Sequence, residues 1–525
     1  MTARRMIKVV VCVIGAWMVF TVSGNALAED KVLRMFHTAP IETFDPARVT
    51  NQQTSVFLRA VYDNLVDYKP GSWPDLENEL AEKYEISADL LIYTFSLKKG
   101  VKWQKGFGEV TSEDVKFTLE RAMDPKTASP TRSVWEPISR IETPDKCTVR
   151  IFLKKTAPAF MNKLAPWRSG AIVCKKAVEK FGSEYAQKPE TIVGSGPFEV
   201  IAFKTGQKYE FKRFEEYHGR KAKVDKIEVF IISDEATAVL SLQKGELNLA
   251  HIRTAESVAS LRKDPNINVS SGVSGNTSAF IALNTEHPVL KDVRVRQAMA
   301  HAVDRDLIVE TVGGEMVVKV CGMLAPEVYW GALKCEDLPK YPYDPQKAKR
   351  LLAEAGYPNG FKIKYVVITT RPFRDLAPVL HDYWKQVGIE IEIEALPTND
   401  YLKRLNEGSA PALSWIVGPR PPEPSLLLYS ALHSSSVKPG INSMLYKGVD
   451  DLLEKAMVAK TDAERKALYG QIQKKVIEDC ILIPIYVERT ILATRKNVDM
   501  GQGVRGQNTV CGYWPWFWLE EVDAR

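Results

Sequence analysis

Residues 280–309, FIALNTEHPVLKDVRVRQAMAHAVDRDLIV, carry the strongest structural signals in the chain. They open with the apolar run Phe280-Ile281-Ala282-Leu283, which predicts a strand, and pass through a turn at Pro288. Asp292 follows where a helix N-cap is expected, because its carboxylate can accept the first free helical N–H groups. Apolar residues then recur at the spacing of one buried helix face: Val295, Ala298, Met299, Ala302 and Val303. The stretch therefore predicts strand, turn and helix in that order.

The polar residues of this stretch complete the prediction. Arg294, Arg296 and Gln297 fall opposite the apolar stripe and are expected to face solvent. Asp304 can cap a second short helix, which the glycines at 313 and 314 should end.

The sequence pattern of this stretch also resembles that of a known protein family. Asn284, Pro288, Asp292, RVRQA at 294–298 and VDR at 303–305 resemble the hinge-proximal segment of the extracytoplasmic solute-binding proteins of ABC importers. The branch is the peptide/nickel class, solute-binding protein family 5. Other segments continue the resemblance over nearly all of the mature chain: TFDP at 43–46, AEKY at 81–84, YTFSLKKGVKW at 93–103, TSEDVKFTLER at 111–121, GSGPF at 194–198 and YDPQKAKRLLAEAGY at 343–357.

The resemblance implies an α/β, two-lobed periplasmic-binding-protein-like fold with a hinge and an extra subdomain in the first lobe. We expect the first lobe at 29–280, with the inserted subdomain at about 71–190, and the second lobe at 281–490. Residues 491–525 should return to the first lobe, and the chain should cross between lobes near Leu283 and Val487. The strands and helices that alternate between 343 and 394 independently favour an α/β lobe.

The N-terminus reads as an export signal. Arg4, Arg5 and Lys8 precede an apolar run at 9–22, and Ala26-Leu27-Ala28 forms an A-x-A cleavage site. We expect cleavage after Ala28 and a periplasmic protein; the alternative is an uncleaved anchor. No later run approaches the 18 apolar residues of a membrane span, so the mature protein should be soluble.

Charge and length exclude some function classes. The formal net charge is +6 over 525 residues, and loss of the three basic residues of the signal lowers it to +3. Lys and Arg are interspersed with Asp and Glu, which is typical of a solvated surface and gives no reason to expect nucleic acid. A chain this long should form two or three lobes, and we expect a monomer.

Six cysteines remain after cleavage: Cys147, Cys174, Cys321, Cys335, Cys480 and Cys511. An oxidising compartment permits disulfides, and six cysteines allow 15 full pairings. Cys321 and Cys335 bracket a loop that contains Pro and Gly, which favours this pair. Zinc binding is the rival reading, but no C-x-x-C or H-x-H spacing occurs.

Several ligand-binding residues follow from the resemblance. Arg371 stands in an R-P-[YF] step whose arginine holds a peptide carboxylate in relatives, and the guanidinium fork fits a carboxylate; it could instead cap a helix or be solvated. Trp415 and Arg420 lie in SWIVGPRPPEP at 414–424. There, Gly418 or Pro419 replaces the family's amine-binding Asp, which disfavours a free ammonium, since burying one unpaired is costly, and favours an anionic or neutral ligand.

Four more candidates lie in the first half of the chain. The loop around Thr43 lines the cleft in relatives, although it reads equally well as a proline turn. Arg132, Trp135 and Arg168 have counterparts that face the cleft in relatives of the nickel-chelate type. There a Trp can stack on a ligand and an Arg can clamp a carboxylate; the alternative is an arginine at the lobe surface beside a packed tryptophan.

Together these patterns predict the substrate-binding component of an ABC importer, with a small or peptide-like ligand and permease subunits as partners. No cofactor is expected. An enzyme is disfavoured because the sequence lacks G-x-S-x-G and H-E-x-x-H, and GSGPF at 194–198 is a poor phosphate loop. Its glycines should permit positive φ in a tight turn. An exported receptor or chaperone on the same fold remains open, and so does the ligand: an oligopeptide, an opine-like carboxylate, a metal chelate or an oligosaccharide.

Overall fold

Two long antiparallel strands form the centre of the molecule, and one of them ends in the run Phe280-Ile281-Ala282-Leu283. The computed structural model describes residues 30–50, 52–69, 75–370, 373–417, 423–437, 441–501 and 516–524. Both strands belong to one large mixed sheet, so a single sheet joins the two halves of the chain.

The strands in these ranges, in chain order, are β1 Val32–His37, β2 Val66–Tyr68, β3 Leu76–Asn78, β4 Ala81–Ile86, β5 Ile92–Leu97, β6 Ile138–Asp145, β7 Thr148–Leu153, β8 Phe198–Lys204, β9 Lys208–Arg213, β10 Lys226–Ile231, β11 Leu249–Ile252, β12 Ile267–Leu283, β13 Val317–Lys319, β14 Phe361–Ile368, β15 Ile389–Leu396, β16 Ala412–Val417, β17 Leu482–Arg495, β18 Val498–Asp499 and β19 Asp523–Ala524.

The α-helices are α1 Gln52–Val61, α2 Ser112–Met123, α3 Met161–Leu164, α4 Trp167–Gly170, α5 Lys175–Phe181, α6 Glu235–Lys244, α7 Ala255–Leu261, α8 Val293–His301, α9 Arg305–Ile308, α10 Pro345–Glu354, α11 Phe373–Lys385, α12 Thr398–Glu407, α13 Ser425–Leu432, α14 Asp450–Val458 and α15 Asp462–Glu478. Within the described part of the chain, no helix combines the length and apolar character needed to cross a bilayer.

The large sheet has the strand order β15-β14-β16-β12-β17-β11-β1-β10-β9-β8, and β13 adds to β17. β12 and β17 pair antiparallel from Ile267–Arg495 to Ala282–Leu482, with register irregularities between Val273 and Ser278 and between Ala279 and Phe280. A separate four-stranded sheet, β4-β5-β7-β6, lies in the first half of the chain. The fold is α/β, as predicted.

Two main hydrophobic cores define two lobes. The first core draws on residues between 33 and 229 and on a few from the C-terminal end, including Leu519 and Val522. The second core draws on residues between 273 and 487. A smaller third cluster contains Ile267 and Ile491, so β12 contributes to two clusters and β17, which also places Leu492 in the first core, contributes to three. A chain whose long strands join two cores can change the angle between them without unfolding either core.

The stretch at 280–309 folds as predicted, with one exception. Asp292 caps α8 by accepting the N–H of Arg294 at 2.8 Å, and Asp304 caps α9 by accepting the N–H of Leu307 at 3.0 Å. The predicted apolar stripe of α8 is buried. The exception is Arg296, which was expected in solvent but is only 5% exposed.

Backbone carbonyls explain the burial of Arg296. Its guanidinium donates to the carbonyl oxygens of Leu290 at 2.7 Å and of Asp479 at 2.6 and 2.9 Å. A buried guanidinium is tolerated when its donors are satisfied in this way. The prediction was wrong because these acceptors come from outside the helix.

The disulfide between Cys321 and Cys335 is present, with the two Cα atoms 5.2 Å apart. The other described cysteines, Cys147, Cys174 and Cys480, are free thiols. Burial raises the pKa of Cys174 to about 11 and that of Cys480 to about 12, which keeps both as unreactive thiols at neutral pH.

We expect the double substitution Cys321→Ala/Cys335→Ala to lower the free energy of unfolding by about 3 kcal/mol, because the bridge closes a short loop and restricts the unfolded chain. The sequence separation of the two cysteines is 14 residues. Urea unfolding of the oxidised protein and the variant measures the difference. Reductant should destabilise the natural protein and leave the variant unchanged; equal stability of the two oxidised proteins would contradict the prediction.

The GSGPF turn has a different physical basis from the one expected. Neither Gly194 nor Gly196 has a positive φ. Both instead lie against the backbone of Val61: a Cβ atom on Gly194 would be 1.8 Å from the Val61 carbonyl oxygen. The Gly196 N–H donates to that oxygen at 2.8 Å. These glycines permit close backbone approach, and the expectation of positive φ was wrong.

A buried ionic cluster ties the C-terminal end to the first core. Arg59 on α1 is 3% exposed and lies 2.8 Å from Asp67, 3.1 Å from Glu520 and 3.5 Å from Glu79. Burial raises the pKa values of Glu79 and Glu520, and the charge of Arg59 opposes that increase. Because Glu520 follows the aromatic segment at 513–518, the chain's end is fixed to α1 at this cluster.

Candidate functional site

Trp415 lies where the sheet passes between the lobes. It sits on β16 directly opposite Phe280 of β12, with ring centroids 6.0 Å apart. The side chain is fully buried, and its indole N–H has no hydrogen-bond partner among the described residues. A buried donor without an acceptor is costly, and a ligand oxygen is one group that can satisfy it. Trp415 therefore offers one unused donor beside the crossing strand.

Tyr486 offers a second unused donor, its hydroxyl group, on the strand at the other side of β12. It lies on β17, opposite Ala279 of β12 and Lys319 of β13. The ring is fully buried, and its hydroxyl has no hydrogen-bond partner in the part of the chain that the structure describes. Burial raises the pKa of the Tyr486 hydroxyl, and the negative charges of Glu488 and Asp375 raise it further, so the hydroxyl stays protonated at neutral pH.

Asp375 and Glu488 are acidic residues that the sequence analysis missed. Both are partly exposed, and both are close enough to Tyr486 to act on its pKa. Asp375 lies in the first turn of α11, shortly after the R-P-F step, and Glu488 lies on β17. The expectation that an ammonium group would meet no carboxylate considered only residues 414–424. Two carboxylates from other segments lie near Tyr486, and one of them, Asp375, also pairs with Arg374 at 3.1 Å.

Thr43 lies in a loop that a buried ion pair fixes. Asp45 is 2% exposed and accepts two hydrogen bonds from Arg121, at 2.8 and 2.6 Å. The Thr43 hydroxyl oxygen accepts the N–H of Asp45 at 3.1 Å, and Thr43 itself is half-buried. A bidentate guanidinium–carboxylate pair holds the loop in one geometry. Thr43 is therefore held in place and remains partly accessible to solvent.

Arg168 approaches the end of the same loop. It donates to the carbonyl oxygen of Thr50 at 3.1 Å. It also lines a small cavity with Arg121 and Pro46. The structure thus brings Arg168 next to the loop that carries Thr43.

Arg132 and Trp135 lie elsewhere. Arg132 is exposed, and its Nε–H donates to the carbonyl oxygen of Met123 at 3.1 Å. Trp135 is fully buried against Phe160, with ring centroids 6.3 Å apart. Neither shares a hydrogen bond or ring contact with Trp415 in the described part of the chain, and a ligand contact for either stays a prediction. Arg371 and Arg420 lie outside the described residues.

Metal binding has no support in the described ranges. No three His, Cys, Asp or Glu side chains there form a group that could hold a metal ion. The charged and polar groups near Trp415 and Tyr486, on β16, β17 and α11, are instead hydrogen-bond donors and carboxylates. Such a set can orient a polar solute that carries both charges, and it contains no arrangement of nucleophile and base.

The chain matches a known family model. The model for bacterial extracellular solute-binding proteins, family 5, matches residues 75–439. Heme-binding protein A of Haemophilus influenzae is 32% identical over 459 residues, which cover 81% of each chain. The dipeptide-binding protein of Escherichia coli is 28% identical, with 82% of this chain and 84% of that protein covered. The glutathione-binding protein GsiB of Escherichia coli O1:K1 is 28% identical, over 87% and 89%.

Solved structures agree with these relatives. HbpA2 from Haemophilus parasuis superposes with a TM-score of 0.84 at 26% identity, covering 94% of this chain and all of that one. DppA from Helicobacter pylori, in complex with the peptide STSA, gives a TM-score of 0.76 at 29% identity, covering 94% and 98%. These similarities extend over both cores and confirm the predicted two-lobed fold.

Proposed function

The chain belongs to the family 5 extracellular solute-binding proteins, the substrate-binding components of ABC importers, and from that premise we propose that it captures a carboxylated, peptide-like solute between its lobes. The observation that carries the proposal is the pair of buried, unused donors Trp415 and Tyr486, on the two strands that flank β12. A solute with carbonyl or carboxylate oxygens would satisfy either donor; the two donors lie on opposite faces of the sheet, because their partners Phe280 and Ala279 are consecutive residues of β12.

The charges around these donors favour a solute with two ionic ends. Arg371 is our candidate for the carboxylate end, because a guanidinium binds a carboxylate through two parallel hydrogen bonds. Asp375 and Glu488 could bind an ammonium end near Tyr486. The names of the relatives support this class: they include proteins that bind dipeptides and glutathione. Arg420, Thr43 and Arg168 are proposed to complete the site, and Trp135 and Arg132 are the weakest candidates in this structure.

The proposed hinge lies in β12 and β17. The register of the two strands shifts between Val273 and Ser278, and an irregularity in a sheet is a natural place for a bend. We place the hinge there, a few residues before the predicted crossing at Leu283, because Leu283 is fully buried in the second core. Closure at this point would bring the lobes together over the solute and exclude water. We further propose that the mature protein is a periplasmic monomer that delivers its solute to the permease subunits.

The test is native mass spectrometry of the mature protein, followed by isothermal titration with the solute it retains. We expect a bound mass that contains a carboxylate and whose affinity falls at least tenfold in Arg371→Ala, because a charge-assisted contact is lost. If no mass is retained, a thermal-shift panel of di- and tripeptides replaces it. A retained solute without a carboxylate, or a panel without a response, would count against the proposal.

A second prediction concerns Trp415. Trp415→Phe should weaken solute binding about tenfold, because one buried donor is lost, and should lower the stability of the solute-free protein less than the matched control does, because it removes buried ring volume but breaks no hydrogen bond among the described residues. The matched control is Trp384→Phe, since the Trp384 indole N–H already donates to the carbonyl oxygen of Met299 at 3.0 Å. The control should lower stability by about 1–3 kcal/mol and leave affinity unchanged. If Trp415→Phe behaved like the control, the indole would have no role in binding.

A further inference from the structure

A small pocket lies where the two lobes touch, apart from Trp415 and Tyr486. This interlobe pocket is lined by Ala157, Ala159 and Lys163 of the first lobe and by Tyr429, Met457 and Arg465 of the second. Its volume is about 80 Å³. That is room for a few water molecules or a short chain, and far less than the several hundred Å³ that surround a complete ligand.

Two cations line the pocket with incomplete hydrogen bonding. Arg465 is 9% exposed, and its Nε–H group is buried without a hydrogen-bond partner within the described ranges. Its Nη2 atom donates to Asp462 at 2.6 Å. Lys163 is half-buried; its carbonyl oxygen accepts the Ser169 hydroxyl at 3.1 Å, but its ammonium group has no hydrogen bond or ion pair among the described residues. Burial lowers the pKa of Lys163, and nearby Glu423 opposes that effect. Both cations therefore have donors to spare.

The one nearby buried carboxylate is already occupied. Glu423 is 5% exposed and accepts the N–H of Ser425 at 3.0 Å, together with the hydroxyl groups of Ser425 and Tyr469. Three accepted hydrogen bonds use most of the capacity of a carboxylate. The Nε–H group of Arg465 and the ammonium group of Lys163 are therefore the donors left for an added acceptor such as a carboxylate oxygen.

The remaining wall is apolar and continues to the surface. Ala157, Ala456 and Met457 contribute methyl and thioether groups. Leu426 at the pocket is 41% exposed, and Val458, next to Met457, is 55% exposed. Apolar side chains left in solvent beside a cavity mark a surface that an apolar group can cover. The pocket thus combines a cationic pair with an apolar entrance.

We propose that the interlobe pocket is a second ligand subsite, which takes a short apolar chain ending in a carboxylate and holds that carboxylate with Lys163 and Arg465. The chain is part of the imported solute or a separate small acid; the two share this chemistry. Because the lining comes from both lobes, an occupant stabilises their contact. The proposal rests on the two-lobed binding function proposed above, but it names residues that the first site does not use.

The test uses straight-chain carboxylates of two to eight carbons, titrated into the mature protein and followed by calorimetry and by the NMR signal of the Met457 methyl group. We expect affinity to rise about fourfold per added methylene until the pocket is full, because each buried CH₂ contributes a constant increment. Alkylamines of the same lengths should not bind. Carboxylate binding without any change at the Met457 methyl would overturn the proposal.

Three variants locate the binding. Lys163→Met should weaken hexanoate binding at least tenfold, whereas Lys155→Met, an exposed lysine nearby, should not change it. Ala159→Leu should shorten the longest carboxylate chain that binds, because the larger side chain fills the pocket. This variant removes no charge, so it tests the pocket even if Lys163→Met does not fold. Arg371→Ala should leave hexanoate binding unchanged. Loss of hexanoate binding in Arg371→Ala but not in Lys163→Met would overturn this proposal and support the first site. If hexanoate does not bind, this proposal fails while the tests of the first site stand.

A titration with the retained solute shows whether the carboxylate in the interlobe pocket belongs to that solute or to a separate small acid. The solute retained by the protein is titrated into Lys163→Met. A tenfold loss means that the solute itself reaches the interlobe pocket. An unchanged affinity, together with Lys163-dependent hexanoate binding, assigns the pocket to a separate small acid.

Discussion

Arg59→Met is expected to lower the free energy of unfolding by about 3–5 kcal/mol, which is the usual effect of removing one partner from a buried ionic group. Asp67, Glu79 and Glu520 surround Arg59 at 2.8–3.5 Å, and all are nearly inaccessible. Without the guanidinium, these carboxylates must take up protons or remain charged and unpaired in a medium of low dielectric constant. Methionine fills similar space, so the loss reports the charge.

The measurement is urea unfolding of the mature protein and the variant at neutral pH. The matched control is Arg34→Met, because Arg34 pairs with Glu228 at 3.2 Å while 43% of its side chain is exposed. The control should lose no more than about 1 kcal/mol, since solvent screens an exposed pair. If the two variants lost similar amounts, Arg59 would not hold the cluster together.

The ionic cluster around Arg59 also indicates which part of the variant Arg59→Met should become disordered first. Glu520 belongs to the C-terminal end, and its contact with Arg59 at 3.1 Å connects that end to α1. Losing the contact should release residues 516–524 before the first core unfolds, because fewer buried groups hold them. Limited proteolysis should therefore cut Arg59→Met, and not Arg34→Met, near its C-terminus.

Local features of the fold could be predicted well from the sequence. The caps at Asp292 and Asp304 and the buried stripe of α8 depend on residues within one helical turn, so the pattern contains all the necessary information. The Cys321–Cys335 pair was predicted for a similar reason, since a short loop separates the two residues. The order of motifs over the whole chain then identified the family.

Features that depend on distant segments could not be predicted. Arg296 is buried because it donates to the carbonyl oxygen of Asp479, 183 residues away. Asp375 and Glu488 act together at Tyr486 only because β17 returns through the large sheet. In each case the sequence shows a charged residue of ordinary appearance, and only tertiary contact reveals its environment.

The candidate site was predictable in part for the same reasons. The ligand contact of Trp415 was predicted from its motif and stays a prediction, but the sequence could not show that its indole N–H lacks an acceptor among the described residues. Trp135 was expected to stack on a ligand; it is buried against Phe160 in the first core, and its indole N–H likewise lacks an acceptor in the described ranges, so its ligand contact also stays a prediction. A tryptophan motif predicts a large buried ring, and the neighbours of that ring decide whether it binds or packs.

The glycines of the GSGPF turn show that a residue type can be noticed for the wrong reason. Sequence alone does not distinguish a glycine that needs positive φ from one that needs the space of a missing Cβ. Gly194 is of the second kind, and it also takes part in a network: its N–H donates to Gln104 Oε1 at 3.2 Å and its carbonyl accepts the Gln104 N–H at 2.9 Å. Gln104 in turn donates to the carbonyl oxygens of Gly196 and Phe198. Any shift at Gly194 would break several of these bonds.

Gly194→Ala is therefore expected to lower the free energy of unfolding by about 4 kcal/mol or more, above the usual range for overpacking. The new Cβ would lie 1.8 Å from the Val61 carbonyl oxygen, and a backbone atom cannot rotate away as a side chain can. The control is Gly470→Ala in the interior of α15, where the nearest atom to a new Cβ is 3.8 Å away. That change should stabilise the protein by about 0.5–1 kcal/mol, because alanine favours helix over glycine. Denaturant unfolding of both variants measures the two effects, which should have opposite signs. If Gly194→Ala were neutral, α1 and the turn could separate without cost, and the close approach at Val61 would not hold this part of the first lobe together.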